Sequence, residues 1–296
     1  MTIHSYLQGG LGNQLFQYAV ARALSEHYQV GFALDKSWFD QSLEGVTPRT
    51  FQLDLLNIDN IVDSNGPFPK KPNRLGQFLQ STFSNRPFVY YQKNAFSFDP
   101  RLLSLRNASY RNIYLYGYWQ GFGYIEAIRP ILQKEFQLRS GVSSHYQPLL
   151  KQINHSDSVM LHIRRGDYVA SPSAAQFHRV LSLNYYLNAI KAIQAAQPDA
   201  HYFVFSDDLP WAKAAMPNTI PITYVEHALE LDDAAQELQL MYACKHHVIA
   251  NSSLSWWGAW LKKDLRGLVF APDQWISEPR TELANLLPAD WIKITI

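Results

Sequence analysis

The sequence is poor in cysteine and in net charge, and each shortage excludes a class of protein. Cys244 is the only cysteine among 296 residues, which excludes an intramolecular disulfide and any thiolate-rich metal cluster. Its surroundings, "QLMYACKHHVIA", are apolar, so Cys244 is predicted to be a small core residue. The net charge is only +1. No global field therefore recruits nucleic acid or an acidic membrane.

Long apolar runs are also missing, and no stretch has the length of a membrane span. The first residues, "TIHSYLQGG", indicate a strand that runs into a glycine turn, so we expect no signal peptide and a cytoplasmic protein. Aromatic residues are abundant instead, at 14%. Aromatic faces stack on sugar C–H surfaces, but a large core requires the same residues. Composition alone does not choose between these two explanations.

Two regions of the chain alternate strands with helices. A strand at residues 3–7, the loop "GGLGN" and the amphipathic pattern "QLFQYAVARALSEHY" predict a β–α–β unit at the N-terminus. Residues 37–100 are rich in Pro, Asn and aromatics, which predicts irregular structure. After the polar stretch 139–157, short apolar strands alternate with helices, as in a parallel sheet covered on both faces. We expect two domains, residues 1–150 and 151–296.

Unusual polar clusters follow four of the predicted strands. "HIRRGD" ends the first strand of the second half, "SDD" (206–208) ends the next, and "NSSLSWW" follows "HHVIA" and opens a helix. In the first half, "GGLGNQ" also lies between a strand and a helix. Ligands of open α/β sheets bind at the carboxyl ends of strands. We therefore expect the four loops to face one crevice.

Two adjacent arginines need an anionic partner at the end of a buried strand, because burying unpaired charge is costly. The guanidinium forks of Arg164 and Arg165 match phosphate oxygens. A local carboxylate such as Asp167 would satisfy them equally well. The ring of His162 either reaches the same cleft or forms a hydrogen-bonded core position. The spacing leaves these alternatives open.

The serine and aspartate clusters also have two interpretations each. Ser252 or Ser253, at a helix start, can bind a phosphate or simply cap the helix. Asp207 and Asp208 can accept hydrogen bonds from a guanine edge or a ribose, or cap the helix that begins at Leu209. Adjacent carboxylates also bind divalent metals. The sequence has no second acidic cluster to complete such a site, so we expect none.

The glycine loop partly matches a dinucleotide-binding fingerprint. Gly10 and Gly12 have the G-x-G spacing, and Asp35 ends the second strand, where an NAD enzyme keeps its ribose-binding acid. Leu15 occupies the place of the third glycine, where a side chain prevents close helix–strand packing. An NAD-dependent oxidoreductase is therefore the weaker alternative. Asn13 instead places an amide at the mouth of the loop.

Four stretches together, "GGLGNQLFQYAVARAL", "HIRRGDY", "FSDD" and "NSSLSWWGAWL", resemble the motif set of the bacterial-type α-1,2-fucosyltransferases of glycosyltransferase family 11. The resemblance implies a GT-B architecture, with two Rossmann-like domains facing each other across a cleft. It implies inverting transfer of fucose from GDP-β-L-fucose to the 2-hydroxyl of a terminal galactose in an oligosaccharide, with no cofactor or divalent metal. Fucosyltransfer with another linkage, α-1,6 or onto protein, stays open.

The same resemblance implies roles for individual residues. The C-terminal domain would bind the donor, with Arg164 gripping its diphosphate and Arg165 assisting or bracing the loop. Asn13 would reach the reaction centre from the N-terminal domain, which would bind most of the acceptor. The other donor-binding residues implied are His162, Asp207, Asp208, Asn251, Ser252, Ser253, Gly10 and Gly12. No motif supplies an unambiguous general base.

Overall fold

The chain forms two compact units. The computed structural model describes residues 1–41, 48–59, 61–64, 68–69, 87–105, 112–166, 179–228, 233–277 and 283–296. Unit 1 runs from Met1 to Arg139 and unit 2 from Ser140 to Ile296. The sequence placed the boundary after residue 150, which is within the helix Gln147–His155. That helix is amphipathic and buries Ile153, so the polar stretch is not a linker throughout.

A four-stranded parallel sheet forms the centre of unit 1. Its strands are β1 (Thr2–Tyr6), β2 (Gly31–Asp35), β3 (Phe88–Tyr91) and β4 (Asn112–Tyr116), in the order β2-β1-β4-β3. Helix α1 (Leu11–Tyr28) joins β1 to β2, as the sequence predicted. A second helix, α2 (Arg129–Glu135), lies near the end of the unit. The chain first moves outward from β1 and later returns to its other side, so the strand order reverses between β1 and β4.

Unit 2 is built on a six-stranded parallel sheet. Its strands are β5 (Ser158–Ile163), β6 (His201–Ser206), β7 (Ile222–Tyr224), β8 (His246–Val248), β9 (Val269–Pro272) and β10 (Ile292–Ile294). The spatial order is β7-β6-β5-β8-β9-β10. Numbered within the unit, this is 3-2-1-4-5-6, the order of the dinucleotide-binding Rossmann fold. The order reverses between β5 and β8.

Helices alternate with the strands of unit 2 and cover the sheet. They are α3 (Gln147–His155), α4 (Leu183–Ala196), α5 (Leu209–Ala215), α6 (Asp233–Ala243) and α7 (Ser253–Trp260). Every residue of β5 is buried, as expected for a central strand with both faces covered. In the described part of the chain, no helix is both long and apolar enough to cross a membrane.

Two predictions about the core of unit 2 are confirmed. Trp256, Trp257 and Trp260 are buried on α7 and contact one another. Cys244 is buried and its thiol contacts the carbonyl of Leu240. Burial raises the pKa of this thiol because it disfavours the thiolate. Cys244 is therefore a packing residue and not a nucleophile.

Candidate functional site

Three of the predicted polar clusters meet at one edge of the unit 2 sheet. Strand β5 pairs with β6 so that Ile163 lies opposite Ser206, and it pairs with β8 on its other side. Arg164 and Asp207 are the next residues of β5 and β6, so they leave the sheet side by side. Ser252 follows β8 and precedes α7. The clusters thus flank the point where the strand order reverses, where open α/β sheets bind ligands.

Arg164 forms an ion pair with Asp207. The distance from Nε to Oδ2 is 3.1 Å, and each side chain keeps about a quarter of its surface exposed. The other carboxylate oxygen, Oδ1, accepts a hydrogen bond of 2.8 Å from the backbone N–H of Arg165. Burial alone would raise the pKa of Asp207. The Arg164 guanidinium and the backbone N–H groups of Arg165 and Gly166 outweigh it and lower that pKa.

Arg165 has a different environment. Its guanidinium carbon lies 4.1 Å from the centre of the Trp211 ring, a cation–π contact. Its Nε is 3.6 Å from Oδ2 of Asp208. Oδ1 of Asp208 accepts a hydrogen bond from the Trp211 N–H, so Asp208 caps α5. The capping interpretation of Asp208 is confirmed, and the guanidinium of Arg165 lies next to both residues of this cap.

The two arginines and two aspartates balance in charge. The described residues therefore give the arginines protein partners, Asp207 and Asp208, before any ligand binds. The alternative partner named from the sequence, Asp167, lies outside the described residues. A charge-neutral cluster is held in place at little electrostatic cost, but it presents no net positive charge to an anion.

His162 lies on β5 beneath this cluster. Only 5% of its surface is exposed. Burial, together with the nearby Arg164 cation, lowers the pKa of His162 to about 3, so the ring is neutral at physiological pH. Its Nδ1 has no hydrogen-bond partner among the described residues. The core interpretation is correct as to burial, but the described residues supply no partner for this nitrogen.

The "NSS" cluster divides into a buried and an accessible part. Asn251 is only 1% exposed. Its Nδ2 donates to the carbonyls of Arg179, at 2.9 Å, and Trp275, at 3.0 Å. Ser252 and Ser253 are partly exposed at the start of α7. Ser252 occupies the N-cap position, but its side chain caps none of the described amides, so the capping alternative is not realised there.

In unit 1 the glycine loop lies at the reversal between β1 and β4. Gly9 has φ of +81°, and a β-carbon there would lie 2.8 Å from Nδ2 of Asn13. Only glycine fits this turn without strain. Gly10 precedes α1, and Gly12 is buried in its first turn. Oδ1 of Asn13 accepts a hydrogen bond of 2.8 Å from Gln120, which follows β4.

A buried amide holds this loop together. Gln14 is fully buried, and its side chain bonds both to the loop and to a distant segment. Its partners are the carbonyls of Gly9 and Thr50 and the N–H of Gln52. The clamped segment includes Arg49, whose Nε would lie 3.9 Å from a β-carbon built on Gly10. Gln14 therefore has a structural role and brings an arginine to the loop.

The features of an NAD site are not found in this loop. Leu15 is fully buried where the fingerprint requires its third glycine. Asp35 is also buried, and its Oδ1 accepts a hydrogen bond from the N–H of Ser37 within its own turn. Neither residue is arranged as in a dinucleotide-binding enzyme.

Several residues at the two sites gave no sequence signal. Arg49 and Arg179 are not part of any strand-end motif. The hydrogen bond from Gln14 to the neighbouring Thr50 holds the segment of Arg49 near Gly10, and Asn251 binds the carbonyl of Arg179. The available signal for Trp211 was its place in the first turn of the helix that follows "SDD", where an aromatic ring can stack on a nearby arginine. Across the described ranges, no three His, Cys, Asp or Glu side chains are grouped as metal ligands.

Comparison with known proteins decides the family. The model of "Glycosyl transferase family 11" matches residues 91–295. The chain belongs to glycosyltransferase family 11. WbnK, an O-antigen biosynthesis glycosyltransferase of Escherichia coli, is 33% identical to this chain. The alignment covers 99% of this chain and the full length of WbnK. An alpha-1,2-colitosyltransferase of the same species is 30% identical over 97% of each chain.

Two further similarities are more distant. Mouse galactoside 2-alpha-L-fucosyltransferase Sec1 is 28% identical over 86% of this chain and 63% of its own length. Among solved structures, the α-1,6-fucosyltransferase NodZ soaked with GDP-fucose has a TM-score of 0.53 at 15% identity, covering 88% of this chain and 92% of its own. Such identity shows the fold alone. The predicted fold class, GT-B with Rossmann-like units, is confirmed.

Proposed function

We propose that this family 11 glycosyltransferase transfers L-fucose from GDP-β-L-fucose to the 2-hydroxyl of a terminal β-galactose, with inversion at the anomeric carbon. The observation that carries the proposal is Arg164, which Asp207 holds at the carboxyl end of β5 beside the strand-order reversal. Two relatives support the proposed linkage. The mouse enzyme is a galactoside 2-alpha-L-fucosyltransferase, and the E. coli colitosyltransferase is also an alpha-1,2 enzyme.

Unit 2 is the proposed donor side. Asp207 contacts Arg164 through Nε, and the terminal nitrogens of a guanidinium form the edge that matches two phosphate oxygens. Ser252 and Ser253 offer hydroxyl groups at the start of α7, where helix N–H groups also point outward. In this proposal these groups bind the diphosphate, and His162 and the Asp207–Asp208 pair lie near the guanosine.

Charge develops on the diphosphate as the reaction proceeds. The bond between C1 of fucose and the β-phosphate oxygen breaks, its electron pair leaves with GDP, and the acceptor oxygen bonds to C1 from the opposite face. Fixed donors aimed at the leaving oxygens lower this barrier by roughly a few kcal/mol each. Arginine and helix N–H groups perform this task in the proposal, and no divalent metal is required.

Unit 1 is the proposed acceptor side, with Gly10 and Gly12 shaping the loop that carries Asn13. Asn13 orients the attacking hydroxyl through its amide, which does not accept a proton at neutral pH. The transfer is therefore proposed to be loose and dissociative, with the hydroxyl proton passing late to a weak base or to the leaving phosphate. A pH–rate profile that shows one strong ionisable base would contradict this mechanism.

Transfer of colitose is a second candidate, because the alpha-1,2-colitosyltransferase matches nearly the whole chain. Colitose is L-fucose without its 3-hydroxyl, so its GDP derivative presents the same diphosphate to Arg164. The two donors differ only in the sugar pocket. Donor competition therefore separates the candidates without affecting the proposed phosphate site.

The experiment mixes purified protein with GDP-fucose and lactose or N-acetyllactosamine in excess EDTA. We expect acceptor-dependent GDP release and fucose on the galactose 2-hydroxyl, measured by NMR of the product. A parallel reaction with GDP-colitose tests the second candidate. An α-1,6 product or a protein acceptor would overturn the linkage. Absence of both GDP release and GDP binding would overturn the proposal as a whole.

A further inference from the structure

The proposed donor site lacks net positive charge among its motif residues. Arg164 is paired with Asp207, and Arg165 lies close to Asp208, so the four charges cancel. A nucleoside diphosphate carries several negative charges and needs uncompensated cations around it. A further cation near Ser252 would supply this charge.

The backbone of Arg179 is held by Asn251. Its carbonyl accepts a hydrogen bond of 2.9 Å from Nδ2 of Asn251, the residue directly before Ser252. Because Asn251 is almost completely buried, this contact is protected from water and fixes the chain position of Arg179. The same amide binds the carbonyl of Trp275 and so fixes the loop after β9 as well.

A side chain without charge orients the guanidinium of Arg179, and no carboxylate among the described residues neutralises it. Its Nη1 donates a hydrogen bond of 2.8 Å to Oε1 of Gln274, which also lies after β9. Gln274 carries no charge. No carboxylate of the described chain, including the neighbouring Asp273, forms an ion pair with Arg179. A phosphate oxygen carries negative charge and is a stronger acceptor for a guanidinium than the uncharged amide oxygen of Gln274, so a diphosphate can replace this contact.

We infer that Arg179 is a third donor-binding arginine, whose guanidinium contacts the diphosphate of the nucleotide sugar. Asn251 is then a positioning residue that acts through Arg179 and not a direct ligand of the donor. The inference rests on the proposed function of unit 2 and adds to it the source of the net positive charge. Arg164 and Arg179 would hold the diphosphate from β5 and from the β8–β9 side.

Nucleotide binding tests the inference directly. Calorimetry compares GDP and guanosine on the wild type and on Arg179→Ala, Arg179→Gln and Arg179→Lys. We expect Arg179→Ala and Arg179→Gln to weaken GDP binding at least tenfold and to leave guanosine binding unchanged, because only GDP carries the diphosphate. Arg179→Lys keeps the charge and should recover part of the loss. The matched control is Arg266→Ala, which removes an arginine that is 92% exposed and should change neither affinity.

The outcomes separate this inference from the proposed function. A wild type that binds no GDP would overturn both. A wild type that binds GDP, together with an Arg179→Ala variant that binds it equally well, would overturn only the role of Arg179. Equal losses for GDP and guanosine would indicate a structural effect and would also overturn it. Arg179 is exposed, so its variants should keep the wild-type Tm.

A double-mutant cycle tests the positioning role of Asn251. If Asn251 acts through Arg179, then Asn251→Ala weakens GDP binding in the wild type but causes no further loss in Arg179→Ala. Independent, multiplying losses would overturn the positioning role. If Asn251→Ala does not fold, Asn251→Ser keeps a hydroxyl donor at the same place and replaces it in the cycle.

Discussion

The two strand-order reversals of this protein share a construction and differ in charge. In each unit a fully buried amide follows a strand and binds the backbone of a distant segment: Gln14 binds Thr50 in unit 1, and Asn251 binds Arg179 in unit 2. The sheet of each unit is parallel, so the loops that follow its strands lie at one edge of that sheet. The fold thus decides where a site forms.

The side chains at the two edges decide what each site can bind. In unit 1 the side chain of Asn13 contacts an amide, that of Gln120, although Arg49 also lies near Gly10 of the same loop. At the corresponding edge of unit 2, the contacts are ion pairs such as Arg164 with Asp207. Amide groups suit the hydroxyl groups of a neutral sugar, whereas guanidinium forks suit phosphate. The difference supports an acceptor role for unit 1 and a donor role for unit 2.

The largest expected effect comes from removing the central charge of unit 2. Arg164→Ala should lower kcat/KM for fucose transfer by about 100- to 1000-fold, because a fixed donor to the leaving diphosphate is lost. The protein should stay folded, since the backbone N–H of Arg165 still holds Asp207. The assay is acceptor-dependent GDP release, with Arg266→Ala as the control. Near-normal turnover would show that the donor site is elsewhere.

Two neighbouring substitutions in unit 1, Gln14→Ala and Asn13→Ala, distinguish a residue that stabilises the loop from one that acts in catalysis. Gln14→Ala should lower the free energy of unfolding by about 2–3 kcal/mol, because it leaves buried backbone groups without partners. Asn13→Ala should instead lower kcat by about tenfold or more with little change in stability, because its side chain is only partly buried and contacts Gln120. Urea unfolding and initial rates measure the two effects.

Two outcomes would contradict these predictions for Gln14 and Asn13. If Asn13→Ala destabilises the protein as much as Gln14→Ala does, then Asn13 belongs to the clamp and the acceptor role loses its main residue. If Gln14→Ala is neutral in stability, the buried amide is not what holds the loop.

Stability should depend on pH through the buried ring of unit 2. His162 has an ordinary pKa of 6.5 in the unfolded chain and about 3 in the folded one. Below pH 6.5 the unfolded chain therefore binds a proton that the folded chain rejects, so stability falls as the pH drops from 6.5 towards 3. The lowered pKa of Asp207 acts in the same direction, but only at pH values near and below its ordinary 3.8.

The test compares urea midpoints at pH 7 and pH 4.5 for the wild type and His162→Gln. The variant should lose less stability between the two values. It should keep part of the dependence, because burial also lowers the pKa of His247 to about 3. Identical pH slopes would show that His162 is not buried in the neutral form.

Salt should produce the smallest effect and should distinguish the two units. Raising NaCl from about 50 to about 500 mM should weaken GDP binding several-fold, because screening acts on the charged diphosphate contacts. The KM for lactose should change less than about twofold, because a neutral sugar binds to amides. Equal salt dependence of both constants would remove the contrast between the units.

Some of these features were predictable because their signals are local. The helix α1 follows from apolar residues at helical spacing, and the burial of Trp256 follows from the apolar helix around it. The carboxyl ends of β5 and β6 were recognised from apolar runs that stop at "RR" and "DD". The compact units divide after Arg139, whereas the predicted boundary lies within the short helix Gln147–His155, which the polar composition of this stretch does not indicate.

Other features were not predictable because they depend on distant partners. The amide nitrogen of Asn251 donates to a carbonyl 72 residues away, and nothing in the motif "NSS" indicates that partner. Arg179 lies outside every motif, and hydrogen bonds with Asn251 and Gln274 hold it in place. Asp207 accepts a hydrogen bond from the backbone N–H of Arg165, 42 residues earlier in the chain. The spacing of residues in the sequence could therefore not favour Asp207 over Asp167 as a partner of the arginines.

The sequence by itself determined the alternation of strands and helices, the polar groups at each strand end and the membership of glycosyltransferase family 11. Only the tertiary structure decided which charges form ion pairs, which amides hold distant segments and which arginine has no carboxylate partner among the described residues. The physical reason is that helical and strand periods arise from neighbouring residues, whereas ion pairs and clamps depend on which strands lie side by side. In unit 2 that adjacency places Arg164 against Asp207 and leaves Arg179 with the neutral Gln274.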